Sequence, residues 1–467
     1  MKFQLSKHIS IQLGPAQIFV LSFLSIIFIG CMLLLLPCST NRGISFIDAL
    51  FTATSAVCIT GLVVVDTEFT FTLFGSSVIL FLIQIGGLGI MTITTYFSYF
   101  FQGKTSFRNQ LLIRDITHSE MLGNIFSSLK SILLITFVIE GIGMLLIFLS
   151  MRNADMYLHE KIYFSIFHSV SSFCNAGFST LSGNLYDTRV RLNFPLHIII
   201  SSLIILGGLG FPVVNSLWKY LTSFAKGAYK RIFKRQKLAY TTMHVSVNTR
   251  LVVRTTLLLI IVGTLSFYIF EKDGVLREFD TGVGKWTASF FGSVTTRTAG
   301  YNSTDTGLLT LPTTFLFIFL MWIGASPAST GGGIKTTTFA VSIMNFLALI
   351  RGKNRVEFHG REISQITISR AFSQMTLSVL FIILMTFFMI LIEKDKEPMN
   401  LLFETVSAYS TVGLSRNVTP FLSDPGRLLI IFTMFVGRVS LFTMLTCFTK
   451  QVTKTSYRYP SEELLIN

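Results

Sequence analysis

One short phrase recurs four times in this chain and restricts its possible folds more than any other feature. The copies run from Phe51 to Leu62, Phe167 to Phe178, Phe290 to Tyr301 and Phe403 to Leu414. Each has Phe ten residues before a glycine and then a run of small and hydroxylated residues. The glycine (Gly61, Gly177, Gly300 or Gly413) is followed by Leu or an aromatic residue. A phrase repeated at similar spacing along a chain marks four copies of one structural unit. Each copy lies between two long apolar segments. Its Ser/Thr/Ala-rich part is too short to cross a bilayer. It reads as a half-helix ending on a residue free to take positive φ, which Gly does without steric cost.

Four such re-entrant turns around one axis direct backbone carbonyls inward. A ring of carbonyls that replaces an ion's hydration shell selects potassium in channels, where the filter is a Thr/Val/Gly/aromatic phrase. Thr411-Val412-Gly413-Leu414 is close to that phrase. The candidate filter residues are Ile59, Thr60 and Gly61; Asn175, Ala176 and Gly177; Thr298, Ala299 and Gly300; and Thr411, Val412 and Gly413. The residues two before the glycines differ among copies. One dominant ion position near the glycines is therefore expected, not a column of equivalent sites.

The composition agrees with a membrane protein. Of 467 residues, 51% are hydrophobic and only 13% are charged, against about 25% in soluble domains. The length allows eight spans of about 20 residues with their connections. With 46 Phe and only 3 Trp, any Trp belt at the interface is thin. The net charge of +15 would suggest nucleic acid in a soluble protein, but here it is spread unevenly over loops, and no nucleic-acid partner is expected. Cys31, Cys38, Cys58, Cys174 and Cys447 match no zinc or disulfide spacing and are expected to be structural thiols. The first apolar run lacks a small-residue cleavage site and reads as a retained helix.

Repeat one reads as span 16–37, pore segment 45–62 and span 74–100. Repeat two has 128–150, 162–178 and 193–220, repeat three 250–270, 285–301 and 309–350, and repeat four 366–392, 400–414 and 426–449. The corresponding units are 1–110, 111–225, 226–355 and 356–467. Lys and Arg greatly outnumber Asp and Glu in the N-terminus, in 101–130, 219–254 and 351–370, and in the C-terminal tail. By the positive-inside rule both termini are cytoplasmic and the pore segments open outward. Asp48, Asp66, Glu68, Asp305 and Asp424 then lie at the outer mouth. They either concentrate cations there or merely occupy positions from which bases are excluded; both readings stay open.

Glycines also recur in the second spans, at Gly86, Gly207, Gly324 and Gly437. The first two are expected to serve close helix packing. In repeat three, Gly324, Ser326, Pro327, Thr330, Gly331, Gly332, Gly333 and Lys335 fall inside an apolar span. Three successive glycines and a proline cannot form a helix interior. Unpaired backbone at this depth must be buried in protein or face water. A loop, 324–338, is therefore expected to break the span below the filter and act as a gate. In repeat four Arg438 sits at span depth, where Arg costs about 2.5–3.5 kcal/mol; it is expected to face the pore. Arg297 and Glu404 lie within pore segments and are expected to form a buried structural pair behind the filters. Losing one partner should then be worse than losing both.

In the four repeats, in Thr295-Thr296-Arg297-Thr298-Ala299-Gly300-Tyr301, in Gly331-Gly332-Gly333-Ile334-Lys335 and in Arg438, the chain resembles the Trk/Ktr/HKT superfamily of potassium transporters. The likeness extends over nearly the whole chain and is greatest to the membrane subunits (KtrB) of bacterial Ktr uptake systems. Trk relatives have two additional N-terminal spans. Gly61 stands where sodium-preferring plant relatives can carry Ser, so the resemblance implies potassium. It also implies a cell-membrane homodimer with a pore in each protomer, a cytosolic ring of KtrA-like nucleotide-binding regulatory subunits, and activation by sodium. No cofactor is expected on this chain: it contains no dinucleotide fingerprint in register with a strand and helix, so the nucleotide belongs to the partner.

Two function classes remain from the residues themselves. One is a potassium-selective uptake pore gated by the loop and Arg438. The other is a secondary transporter coupled to protons or sodium, for which Glu140 is the plausible intramembrane carboxylate. An enzyme is not expected: His168 and His197 stand alone, and no metal cluster or paired catalytic carboxylates occur.

Overall fold

The apolar runs become helices where a polar side chain can satisfy the first free amides. Ser45, Thr72, Thr281 and Ser423 accept from the backbone N–H groups of Asp48, Gly75, Gly284 and Gly426. Asn193 accepts from that of Leu196. Such caps each contribute about 1 kcal/mol. The computed structural model describes residues 2–4, 10–12, 15–89, 125–152, 154–220, 222 and 246–448. The expected end of the second span of repeat one, the basic stretches between repeats up to 124 and from 223 to 245, and the C-terminal tail lie outside them.

The first spans are Pro15–Leu34, Ile125–Ser150, Val247–Glu271 and Gln365–Ile392. The pore helices are Phe46–Cys58, Leu158–Phe173, Gly282–Thr295 and Pro398–Tyr409. The second spans begin as Leu73–Leu88, Phe194–Leu209, Leu311–Trp322 and Asp424–Val439. Helices Thr336–Ile350 and Leu441–Phe448 continue the last two. Strand among the described residues is confined to two small hairpins, Lys2–Gln4 with Ser10–Gln12 and Glu357–Phe358 with Arg361–Glu362. The chain is an all-α polytopic membrane protein. Its four span–pore–span repeats supply eight transmembrane helices and four re-entrant pore segments around a pseudo-fourfold central pore.

Among the described residues, three uninterrupted helices, Lys130–Ser150, Val247–Glu271 and Gln365–Ile392, are long and apolar enough to cross a membrane unaided. The second spans of repeats two, three and four are shorter because each of them breaks, and here the structure corrects the expectation of a break in repeat three alone; in repeat one the described helix ends at Gly89. The helices end at Gly89 (φ 78°), Gly210 (φ 83°), Ile323 and Ser440 (φ 75°). In repeat two the chain turns by 109° into Phe211–Tyr220.

Polarity is arranged as lipid requires. Phe28, Ile29, Leu145, Leu258, Ile269, Ile383 and Phe387 are each more than half exposed. Water would penalise this band, whereas lipid tails do not. The pore helices are the opposite, small and hydroxylated but buried. Thr52, Thr54, Ser165, Thr287, Ser289 and Thr405 return their hydroxyl protons to the carbonyl four residues back. These six hydroxyls then need no water. The apolar cores straddle the repeats. Phe23, Phe51 and Ile79 of repeat one share a cluster with Ile430, Met434 and Phe435 of repeat four. Further clusters join repeats three and four, and two and three.

Candidate functional site: a ring of glycine segments and the loop beneath it

Each pore helix ends a few residues before its glycine, so four helix C-termini, with their partial negative charge, converge on one place. The chain then enters a left-handed conformation twice in each copy. Ile59, Asn175, Thr298 and Thr411 have φ of 57°, 60°, 68° and 50°, and Gly61, Gly177, Gly300 and Gly413 have φ of 87°, 69°, 75° and 93°. Side-chain-bearing residues held at positive φ are strained, and such strain concentrates at functional sites.

A hydroxyl in each pore helix holds this geometry. The Ser55 Oγ donates to the Leu62 carbonyl at 2.7 Å and accepts from Gly61 N–H at 3.0 Å. The Ser171 Oγ donates to the Phe178 carbonyl at 2.9 Å, Thr295 Oγ1 to that of Tyr301 at 2.6 Å, and Ser407 Oγ accepts from Gly413 N–H at 3.1 Å. Sequence reasoning missed these anchors, although a hydroxyl six residues before the glycine in repeats one, two and four was the available signal. In repeat three the anchor stands one residue nearer its glycine. The fully buried ring there is Phe291, while Phe290, which aligns in the phrase, is only partly buried. The repeat therefore slips by one residue in its third copy.

The segments close into a ring. A Cβ built on Gly61 would collide with the Ala176 carbonyl, one on Gly177 with that of Ala299, one on Gly300 with that of Val412, and one on Gly413 with that of Thr60. Each glycine thus presses its backbone against the next segment, in the order one, two, three, four and back to one. The carbonyls of Thr60, Ala176, Ala299 and Val412 each abut the glycine of the neighbouring segment. Behind the ring, Gly86, Gly207 and Gly437 lie where a Cβ would strike the carbonyls of Val57, Phe173 and Tyr409. These carbonyls close the pore helices, so Gly437 belongs with the first two packing glycines. Gly324 departs from the pattern and lies instead against Gly332.

The broken part of repeat three runs across the lower side of this ring, the side of the residues preceding the glycines. Gly332 N–H donates to Thr411 Oγ1 at 3.0 Å, and Gly331 lies against Thr298 Oγ1. Ser326 N–H donates to the Gly208 carbonyl at 3.0 Å, and Phe211 N–H to that of Ala328 at 3.0 Å. Gly333 takes φ of 67°, and Thr336 N–H returns to the Ala325 carbonyl at 3.2 Å. Pro327 is half-buried in the same loop. Two cations hold the crossing. Lys335 Nζ donates to the Gly331 carbonyl at 2.7 Å. The Arg438 guanidinium donates to the carbonyls of Thr330 and Gly86, the latter at 2.6 Å. Arg438 therefore connects the second span of repeat four, the loop, and the second span of repeat one.

Arg297 and Glu404 do not meet, which corrects the expected pair. Arg297 donates to the carbonyls of Thr256 at 3.2 Å and Gly324 at 3.5 Å. Glu404 accepts from Ser415 Oγ at 2.5 Å, Arg416 N–H at 3.1 Å and Thr419 Oγ1 at 2.7 Å. The Glu404 carboxylate is thus neutralised by donors of its own repeat, and Arg297 faces the loop. Glu140 accepts from Gln84 Nε2 at 3.3 Å and from the Cys174 thiol at 3.9 Å, behind the second segment. The His168 ring bonds to the Phe164 carbonyl and Ser179 Oγ, both at 3.0 Å, as a packed residue does. All five cysteines are free.

Above the ring, the expected mouth acids hold the repeats together. Glu68 binds Ser182 N–H at 2.7 Å and Arg189 at 2.9 Å, and Asp66 accepts from Ser182 Oγ. These contacts join repeats one and two. Glu278 joins three to two through Tyr186 at 3.2 Å and Arg191. Asp305 accepts from Asn417 at 3.2 Å, and Arg416 donates to the Gly307 carbonyl at 3.1 Å, joining three and four. Arg427 reaches Asp48 at 2.8 Å and Asp424 at 3.6 Å, and so returns four to one. Outside the membrane, the Arg189 guanidinium holds the Asp187 carboxyl below its ordinary pKa.

Comparison with known proteins agrees with this architecture. The model of the TrkH family, described as cation transport protein, matches residues 7–458. The chain is 36% identical to the Ktr system potassium uptake protein B of Vibrio alginolyticus, covering 97% of this chain and 95% of that protein. It is 36% identical to the protein of the same name from Bacillus subtilis, with 97% of each covered. It is 35% identical to the potassium/sodium uptake protein NtpJ of Enterococcus hirae, with 99% of each covered. The crystal structure of the potassium transporter TrkH from Vibrio parahaemolyticus superposes with a TM-score of 0.70 at 18% identity, over 95% of this chain and 86% of that one. The chain belongs to the TrkH family of cation transport proteins.

Proposed function

We propose that this chain is the ion-translocating subunit of a potassium uptake system. The carrying observation is the closed ring in which each glycine backbone abuts the carbonyl of the next segment. Such a ring offers four carbonyls and four helix C-termini to a bare cation, in a space that a Cβ would fill. Thr60, Ala176, Ala299 and Val412 supply the carbonyls, and the glycines supply the close approach. The names of the relatives from Vibrio alginolyticus and Bacillus subtilis support potassium as the ion. That of the Enterococcus hirae relative supports a part for sodium, which we assign to activation.

The gate is the loop expected over 324–338, which runs over 324–335 before helix Thr336–Ile350 begins and is pinned by Lys335 and Arg438. It lies against Thr298 and Thr411 directly below the ring, where it obstructs passage and sets a positive charge in a cation's path. We read the repeats as units 1–110, 111–225, 226–355 and 356–467. The membrane subunit works as a homodimer with both termini cytoplasmic, and a cytosolic nucleotide-binding ring moves the gate.

The test is ion flux into liposomes holding the purified chain. Potassium and rubidium flux well above sodium flux is expected; equal flux of potassium and sodium would remove the filter assignment. A second reading, coupling to protons or sodium, rests on Glu140, buried beside the second segment with Gln84 and Cys174 as partners. Transport by wild type and by Glu140→Gln that is equally independent of pH counts against coupling to protons.

A further inference from the structure

Arg297 was freed of its expected partner and needs another account. It stands three residues before Gly300, where the other segments have Cys58, Cys174 and Ser410. It is the one charged residue of the four, and it is buried. No carboxylate lies within ion-pair distance of it among the described residues. A buried charge so placed must be held by dipoles. Two carbonyls do part of this: Thr256 on the first span of repeat three and Gly324 at the root of the loop. Its Nε–H is buried with no protein partner, and so is the Thr256 hydroxyl.

Both residues line one small cavity, together with Gly208, Val294 and Ala325. The volume open to the centre of a water-sized sphere is about 20 Å³. One water needs roughly 10–15 Å³ by that measure and at least two polar partners. The volume suffices for one water, the two residues with unpartnered polar atoms are both in its wall, and the remaining lining is apolar.

We propose that a single water held by Arg297 Nε and Thr256 Oγ1 completes this cavity, and that the water-braced Arg297 is the positioning residue fixing the root of loop 324–335 to the third pore segment. Arg297 is tied to each of the parts that must stay in register: its backbone leads directly into Thr298 of the ring, and its guanidinium bonds to the carbonyls of Thr256 on a span and Gly324 where the loop begins. Withdrawing any of its bonds lets the loop leave the position in which it crosses the ring. This inference rests on reading the loop as the gate.

The test is rubidium flux into liposomes from the full-length chain, in four forms: wild type, Arg297→Gln, deletion of 331–333, and the two changes combined. The deletion is expected to raise flux. Arg297→Gln should raise it about tenfold, the loss of one or two charge-assisted bonds, and the combined form should add nothing to the deletion. A deletion that raises flux with Arg297→Gln at the wild-type level overturns the positioning role and leaves the gate standing. A deletion without effect overturns both.

Thr256→Val keeps the shape and the backbone carbonyl and removes only the hydroxyl. It guards against misfolding of the arginine variant, and flux is expected to rise about fivefold. Unchanged flux in this variant overturns the water's part. A density map that resolves waters should show one peak within hydrogen-bond reach of both atoms. A bromide anomalous peak there instead would assign the site to an anion and overturn the water.

Discussion

The four glycines are constrained twice, and the two constraints have different consequences. Positive φ costs an ordinary residue about 1–2 kcal/mol. The neighbouring carbonyl leaves no room for a Cβ at Gly61, Gly177, Gly300 or Gly413. Serine at any of them must push the ring apart. Discrimination of potassium against sodium in liposome flux should fall about tenfold or more, the effect of about 1.4 kcal/mol, while the protein still inserts. Arg297 and Glu404 make no common contact, so their substitutions should add. Glu404→Ala strands the hydroxyls of Ser415 and Thr419 and the Arg416 N–H. It should cost about 1–3 kcal/mol, seen as a lower melting temperature in detergent, and Arg297→Gln should not relieve it. The glycines were legible in the sequence because few residues can do what they do. The false pair was not. Opposite charges in two buried segments invite pairing, but sequence does not say which way each side chain leaves its helix or that local hydroxyls can neutralise a carboxylate.

Among the elements, the second spans show how far a pattern can be read. Gly331-Gly332-Gly333 and Pro327 made one break plain, since no helix tolerates them. The helix ends of repeats one, two and four were concealed in Gly86-x-x-Gly89, Gly207-x-x-Gly210 and Gly437-x-x-Ser440. In each the first glycine packs under a pore helix and the residue three later turns the chain. In sequence the first two motifs read as close packing, a reading that gives no role to the residue three later. Ser440 is the informative member, because it takes φ of 75° without being glycine. Ser440→Gly should relieve that strain and raise thermal stability by about 1 kcal/mol, and Ser440→Val should lower it. Arg438 belongs to the same element and bonds to loop and neighbouring span alike. Arg438→Gln should increase rubidium flux by removing both the latch and the charge; unchanged flux would exclude it from the gate.

At the scale of the whole molecule, the repeats are joined in a circle three times over: through apolar clusters, through the glycine segments, and through the polar clasps above them. Breaking the clasp between repeats four and one is the informative experiment. Arg427→Asp should lower the melting temperature, and adding Asp48→Arg should restore much of it. The exchanged term is about 1 kcal/mol for a partly exposed pair. Failure of the reversed pair to recover would show that Arg427 acts through the Pro420 carbonyl and Asp424 and not through Asp48. The clasp also bears on how the protein is made. Asp48 and Arg427 are 379 positions apart, and the Thr60 carbonyl that receives Gly413 waits over a similar length of chain. At about 5–20 residues per second of synthesis, repeat one stands in the membrane for roughly 20–75 s before its last neighbour exists. Through that interval the nascent protein is an open arc with one polar edge unmatched at each end, a target for insertion chaperones and membrane proteases, and only the arrival of the fourth repeat removes both edges at once.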